Sequence, residues 1–396
     1  MQFASRLDNV ETSAIRELFK LSADPGLISF AGGVPDSALF DIEGLREAST
    51  RALADAPGAA LQYGATEGYE PLRKRLAEFM NGKNAAIEPR DLIVTTGSQQ
   101  ALDLLGKTMI SPGDKVIVEG PTFLATIQCF RLYGAEVICA PVDAEGVCVD
   151  SLEKLIVEHK PKLVYLIPTF GNPSGKTLSL DRRKRVVELA LQYRTLVVED
   201  DPYGDLYFGA TEPPSSILSL SQDVSGSRPY IAHCGSLSKI LSPGLRIGWL
   251  IGPDALVDRA VMCKQFSDAH TSTFAQATAE QYLASGRMAG ALASVRRVYE
   301  QRARAMGDAL VRDLGDAISF DEPSGGLFIW ARLTGRNGAP SDSNAFAKRA
   351  IKHKVAFVPG APFYAREPDL STLRLSFATS DVDRIQMGVS RLAQAL

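Results

Sequence analysis

Residues 162–208 read KLVYLIPTFGNPSGKTLSLDRRKRVVELALQYRTLVVEDDPYGDLYF. Two runs in this stretch, KLVYLIP (162–168) and TLVVED (195–200), are apolar along most of their length rather than alternating. That is the pattern of a strand covered on both faces. Between them, SLDRRKRVVELALQYR (179–194) carries Val186, Val187, Ala190 and Leu191 on one helical face, with Ser179 in the capping position. The same texture continues outward through DLIVTTG (91–97), KVIVEG (115–120), EVICAPV (136–142), YIAHCG (230–235) and RIGWLIG (246–252). Seven such runs, separated by helical stretches, predict an α/β unit with a mainly parallel seven-stranded sheet between helices.

The texture changes after about Glu280. A charged helical stretch, RRVYEQRARAMGDALVRDL (296–314), leads into GLFIWARL (326–333), VAFVPG (355–360) and TLRLSFA (372–378), which predict a smaller α+β domain. No Pro/Gly/Ser linker separates the two, so the join reads as a continuous helix. The expected organisation is an N-terminal arm over 1–45 that contributes to the small domain, a large domain over 46–290, and a small domain over 291–396.

Composition narrows the function classes. The chain has 396 residues, and its 43 Lys+Arg against 46 Asp+Glu leave a net charge of −3, too balanced for a protein that coats nucleic acid or an anionic membrane. Apolar runs such as LVYLI (163–167) fall far short of the ~20 residues of a membrane span. The opening MQFASRLDNVETSAIREL lacks an apolar signal core, and its Asp8, Glu11 and Glu17 argue against a transit peptide. Five cysteines (129, 139, 148, 234, 263) form no CxxC pair and the four histidines stand singly, so no metal site is expected. A cytoplasmic location, with its thiols reduced, is the expectation.

In open α/β sheets, ligands bind beyond the carboxyl ends of the strands, so the residues just past each strand carry the chemistry. After DLIVTTG, Gly97 and Ser98 open a helix whose free N–H groups make an anion site. After KLVYLIP comes TFGNPSGKT. It is no P-loop, because its glycines stand one residue too close and Pro173 removes an N–H, yet it places the amide of Asn172 at a strand end. TLVVED ends on Asp200, with Tyr203 three residues on. Beyond YIAHCG lie Ser236, Ser238 and Lys239, with Arg246 seven positions further; the arginine is expected to lower the lysine pKa and make an amine nucleophile. Two anion sites, a carboxylate, an amide, a phenol and an activated lysine match a cofactor with a phosphate, a pyridine nitrogen, a phenolic oxygen and an aldehyde. Pyridoxal 5'-phosphate has all four.

The ordered motifs GSQQ, PTF, GNPSG, EDDPYGDLYF, GSLSKILSPGLRIGW and TLRLSFA resemble those of the pyridoxal-phosphate aminotransferases of the aspartate aminotransferase fold, closest to the 2-aminoadipate/kynurenine subgroup. The likeness runs from SAIRELFKL and ISFAGGVPD through LQYGATEGYEPLR to VAFVPGAPF, nearly end to end. It implies the pyridoxal-phosphate-dependent transferase fold and a homodimer. It further implies that Lys239 forms the Schiff base and moves the proton, that Asp200 pairs with the ring nitrogen, and that Asn172 and Tyr203 hydrogen-bond the phenolic oxygen. Ser98, Gln99, Ser236, Ser238 and Arg246 would hold the phosphate, and Phe123 would stack on the ring where many relatives carry Tyr. Tyr63 would reach the partner subunit's phosphate. For the substrate, Arg374 would grip the α-carboxylate beside Asn172 and Gly33, and Arg16 would meet a distal carboxylate.

GNPSG and GSLSK stand where many relatives read QNPTG and GSFSK, changes that keep the polar groups. The resemblance leads us to expect transfer of an amino group from 2-aminoadipate, leucine, glutamate or an aromatic amino acid to 2-oxoglutarate by a ping-pong route. β-Elimination and decarboxylation use the same cofactor and differ only in which Cα bond is broken. Some transcription regulators carry an aminotransferase-like domain behind a DNA-binding module. Here the aminotransferase-like pattern begins within the first ~20 residues, which points away from that class.

Overall fold

The computed structural model describes residues 3–7, 26–334 and 341–396. Its strands are β1 (Ile28–Ser29), β2 (Leu92–Thr96), β3 (Lys115–Gly120), β4 (Glu136–Asp143), β5 (Gly146–Val147), β6 (Leu163–Leu166) and β7 (Leu196–Asp201). They continue with β8 (Ile231–Ser236), β9 (Ile247–Ile251), β10 (Ile318–Phe320), β11 (Phe328–Leu333), β12 (Val355–Ala356), β13 (Val358–Pro359) and β14 (Thr372–Ser376). All seven runs expected to build the main sheet do so. It has the order β2-β9-β8-β7-β6-β3-β4-β5, with an eighth, two-residue strand, β5, at one edge. β5 returns antiparallel on β4 and is too short to leave a periodic signal.

The apolar composition of these strands follows from cover on both faces. Every residue of β6 and β9 is buried, and helix Leu180–Tyr193 turns Val186, Val187 and Ala190 onto the sheet. Ser179 holds the N-cap position of that helix, but its hydroxyl accepts no capping bond. The ladders β3–β4, β3–β6, β6–β7 and β7–β8 are parallel. β9 alone runs against both its neighbours, β2 and β8. The residue before β9, Arg246, is therefore brought to the edge where β2, β3, β6, β7 and β8 all end.

A second sheet, β10-β11-β14-β13, is antiparallel, and β10 is a strand with no counterpart among the expected runs. VAFVPG divides between two sheets: Val355–Ala356 pairs in parallel with Ile28–Ser29, and Val358–Pro359 pairs with β14. Helix Met288–Leu314 spans the expected join as 27 unbroken residues and packs on the C-terminal helix Val382–Ala395. The segment after β1 is laced to the second sheet, since Phe30 N donates to Ala356 O at 2.7 Å and accepts at its own carbonyl from Ser376 N at 2.8 Å. This carries Ala31 to Gly33 across the strand ends of the main sheet. Among the described residues, no helix is long and apolar enough to cross a membrane, and no group of three metal-ligating side chains occurs.

Candidate active site

Strand ends, the arm and β14 enclose a cavity of about 350 Å³, within the range of cofactor sites. Of the residues singled out by sequence, it brings together Gly33, Ser98, Gln99, Phe123, Asn172, Asp200, Tyr203, Ser236, Ser238, Lys239, Arg246 and Arg374. Tyr63 is not on its wall; it stands 85% exposed, with its ring edge against His270 at 5.7 Å. Arg16 lies outside the described residues.

One end of the cavity is an anion cup. Helix Ser98–Met109 starts here from the N-cap Gly97, whose φ is +76°. A Cβ at Gly97 would lie 2.5 Å from Arg246 Nη2, so the close approach of the guanidinium to the helix terminus requires glycine. Arg246 Nη2 donates to Thr96 O at 3.1 Å. Beside it, Ser236 Oγ bonds Ser238 Oγ at 2.9 Å and accepts from Ser238 N at 3.1 Å. Helix N–H groups without intrahelical acceptors, two hydroxyls and a guanidinium together suit a phosphate.

Lys239 enters from the turn after β8 and donates from Nζ to Gly33 O at 2.6 Å. Its pKa is pulled down to about 8, first by burial, then by Arg374 and last by Arg246. The lowered value matches the sequence reading, but the cause does not: enclosure leads, and an arginine 135 positions away in sequence outranks the one seven positions away. Near neutrality the amine can thus be neutral enough to attack a carbonyl.

Opposite, Asp200 is buried at the end of β7. Its Oδ2 accepts from Tyr165 Oη at 2.5 Å, while its Oδ1 is buried with no partner. Burial raises its pKa to about 6, against the lowering effect of the Tyr165 bond. A bare carboxylate oxygen in an enclosed cavity costs stability until a donor reaches it. The N–H of a pyridinium is such a donor.

Asn172 links the two remaining parts. Its Nδ2 donates to Tyr203 Oη at 3.2 Å, and its Oδ1 accepts from Arg374 Nη1 at 2.8 Å. Arg374, in the middle of β14, is 1% exposed. Its Nη2 donates to Ala31 O at 2.8 Å, and its Nε has no partner. Phe328 and Phe363 flank the guanidinium at 4.2 and 5.0 Å from their ring centres, a cation–π clamp that fixes its plane. Burial brings its pKa down to about 10, so it remains charged at neutral pH. Tyr203 is pushed up to about 12, chiefly by burial, and keeps its proton.

Sequence reasoning missed Tyr165, the aromatic pair around Arg374, and the apolar wall of Val34, Ile167, Pro202 and Pro243. Tyr165 left one signal: it is the single hydroxyl in an otherwise apolar strand, LVYL. The clamp left none, because Phe328, Phe363 and Arg374 lie on separate segments.

The donor set therefore fits pyridoxal phosphate at each of its polar groups, and an amino acid could enter beside it with its carboxylate on Arg374. Comparison with known proteins agrees. The family model described as aminotransferase class I and II matches residues 26–392, and the chain belongs to that family. It is 40% identical, over all of its own length and 96% of the relative's, to the 2-aminoadipate transaminase of Thermus thermophilus. Among solved structures, an α-aminoadipate aminotransferase of Thermus thermophilus, complexed with N-(5'-phosphopyridoxyl)-L-leucine, superposes with a TM-score of 0.91 at 38% identity, covering 100% of this chain and 97% of that one. The kynurenine aminotransferase of Pyrococcus horikoshii gives 0.92 at 38% identity, covering 99% and 96%. This chain is a pyridoxal-phosphate-dependent transaminase acting on amino and oxo acids.

Proposed function

We propose that the chain transfers the amino group of 2-aminoadipate, leucine, glutamate or an aromatic amino acid to 2-oxoglutarate, with Lys239, Asp200 and Tyr203 as its catalytic groups. The observation that carries this reading is Arg374, buried, clamped and left with an unpartnered N–H on the same cavity as the lowered-pKa Lys239. When bound, pyridoxal phosphate supplies the aldehyde that takes the amino group and the ring that draws electrons from the substrate Cα. Everything else falls to residues of this chain.

Ser98, Gln99, Ser236, Ser238 and Arg246 would hold the phosphate, Phe123 would stack on the ring, and Asp200 Oδ1 would accept from the ring nitrogen. Tyr203 and Asn172 would donate to the phenolic oxygen. Arg374 orients the substrate through its α-carboxylate, a planar fork that lysine does not reproduce, with Asn172 and Gly33 beside it. Lys239 Nζ would take the α-proton and return it. Gly33, on whose carbonyl the amine rests, lies close enough to Arg374 that a Cβ there would stand 3.8 Å from its Nη2, which puts amine and proposed carboxylate anchor on one side of the cavity.

The relatives' names support the donor range, through 2-aminoadipate, an L-leucine adduct and kynurenine. Among the described residues lining the cavity, Lys239, Arg246 and Arg374 are the cations; the family resemblance is what assigns the distal carboxylate of 2-aminoadipate to Arg16. The exposed Tyr63 is assigned to the phosphate of a partner subunit in a homodimer.

The test is the visible absorption of the purified protein. L-2-aminoadipate should bleach the band and 2-oxoglutarate should restore it, with an oxo acid as the product. Release of ammonia or carbon dioxide instead would move the chemistry to elimination or decarboxylation. A band indifferent to 2-aminoadipate but bleached by leucine or phenylalanine would remove Arg16 from the substrate site.

A further inference from the structure

Asp200 has two oxygens in different circumstances, and the difference is made by a residue outside the family motifs. Tyr165 lies on β6 opposite Val198 of β7, so Asp200, two residues further, presents its side chain on the same face. The phenol gives its proton to Oδ2 at 2.5 Å, and Oδ1 is left bare. Tyr165 is fully buried, with Phe130 set edge-on against its ring at 6.0 Å. The Thr126 hydroxyl lies beside the phenol oxygen, outside strict hydrogen-bond limits but near enough to favour the phenolate as a donor rather than to take the phenol's proton. These neighbours leave the phenol Asp200 Oδ2 as its acceptor.

The other groups around the carboxylate do not take over this task. Cys234, its register partner on β8, is held as a neutral thiol by burial and by the nearby carboxylates. Asp201 opposes ionisation of Asp200, and His233 favours it while being bonded to Glu199 rather than to Asp200. Tyr165 is thus the one hydrogen-bond donor on Asp200 among the described residues, and it stabilises the charged form against burial.

We propose that Tyr165 is a positioning residue that keeps Asp200 anionic and directs its free oxygen at the cofactor ring nitrogen, and so sets how fully that nitrogen is protonated. The proposal rests on the pairing of Asp200 with the ring nitrogen. Without the phenol, the carboxylate would be the stronger base, and the shared proton would move from the ring toward Asp200. A ring that has lost its proton draws electrons from Cα less well, so the loss falls on the chemical step and not on substrate binding.

The test loads wild type, Tyr165→Phe and Asp200→Asn with pyridoxal phosphate labelled with nitrogen-15 in the ring. The ring resonance and steady-state kinetics are then recorded on each holoenzyme. Tyr165→Phe should move the resonance toward its unprotonated position, in the direction of Asp200→Asn but less far. It should lower kcat about tenfold, the effect of about one pK unit, with KM changed less than about threefold. An unmoved resonance in Tyr165→Phe, with a shifted one in Asp200→Asn, overturns the role of Tyr165 and leaves the Asp200 pairing standing. A resonance unmoved in both overturns the pairing itself. Should Tyr165→Phe fail to fold, 3-fluorotyrosine at position 165 keeps the shape and makes a stronger donor. It should then move the resonance the opposite way, and no movement would overturn the proposal.

Discussion

Replacing Arg374 by Lys tests the substrate anchor, because the structure specifies what lysine lacks. A guanidinium has five N–H groups in one plane. Here one Nη1 hydrogen goes to Asn172 and one Nη2 hydrogen to Ala31 O, while Nε stays free, so a two-point grip on a carboxylate remains available. An ammonium has three hydrogens. If two go to the same acceptors, one remains for the substrate, and the flat contact with Phe328 and Phe363 is lost as well. One charge-assisted hydrogen bond is worth about 1.5–3 kcal/mol, so kcat/KM should fall by roughly 10- to 150-fold. Arg374→Ala should fall further, since the buried Asn172 Oδ1 then loses its donor. The assay is stopped-flow bleaching of the visible band by amino acid. The Lys239 band should persist without substrate in both variants. A change in kcat/KM below about threefold in Arg374→Lys would refute the fork and place the carboxylate elsewhere in the cavity.

Lys239→Ala should abolish turnover and the visible band while leaving phosphate binding intact, which absorption spectroscopy with added cofactor will show. In wild-type apoprotein, the depressed pKa makes Lys239 neutral from about pH 8 upward, where an ordinary lysine needs pH above 10. The rate of cofactor capture should therefore rise about tenfold per pH unit below that point and level off above it; a rate still climbing at pH 10 would contradict the assignment. Tyr63→Ala should weaken pyridoxal phosphate retention about tenfold without altering the monomer's own cavity, read by cofactor loss on dialysis. A monomer by light scattering would remove Tyr63 from any such role.

Much of this site was readable in the sequence for one reason: in a parallel sheet, strand ends converge, and each strand is succeeded by a short motif. Asp200, Asn172, Ser98 and Lys239 belong to four segments, yet each sits within a few residues of an apolar run, so the fold class alone gathers them. Arg246 needed more. It is placed by the reversal of β9, which an apolar run does not announce, and its part in lowering the Lys239 pKa is smaller than that of Arg374. Gly33 and Ala31 reach the cavity because β1 pairs with Val355–Ala356 and Phe30 bonds Ser376, contacts between segments more than 300 residues apart. Two-residue strands such as β1, β5, β12 and β13 fall below the length at which periodicity can be recognised. Tyr165 was hidden differently: it is the single hydroxyl inside an otherwise apolar run, and only three-dimensional structure shows that hydroxyl turned toward Asp200.

The charges on the cavity wall do not balance by themselves. Among the described residues lining the cavity, Lys239, Arg246 and Arg374 face a single carboxylate, Asp200. Cations held together away from water repel one another, and the downward pull on Lys239 by both arginines records that repulsion. On the proposed reading, the ligands bring the missing negative charge, a phosphate at the Arg246 end and a carboxylate at Arg374. The apoprotein should then be stabilised by anions alone. Inorganic phosphate at 100 times its Kd would add about 2.7 kcal/mol, a rise of a few degrees in Tm for a chain of this size. Arg246→Gln should abolish that rise, whereas Arg374→Lys should keep it, because the phosphate cup and the carboxylate anchor sit at different places on the wall. Differential scanning calorimetry of the apoprotein, in phosphate and in chloride at equal ionic strength, decides the matter. Equal Tm values in the two salts would mean that the excess positive charge is screened by solvent and that the cup does not select for phosphate.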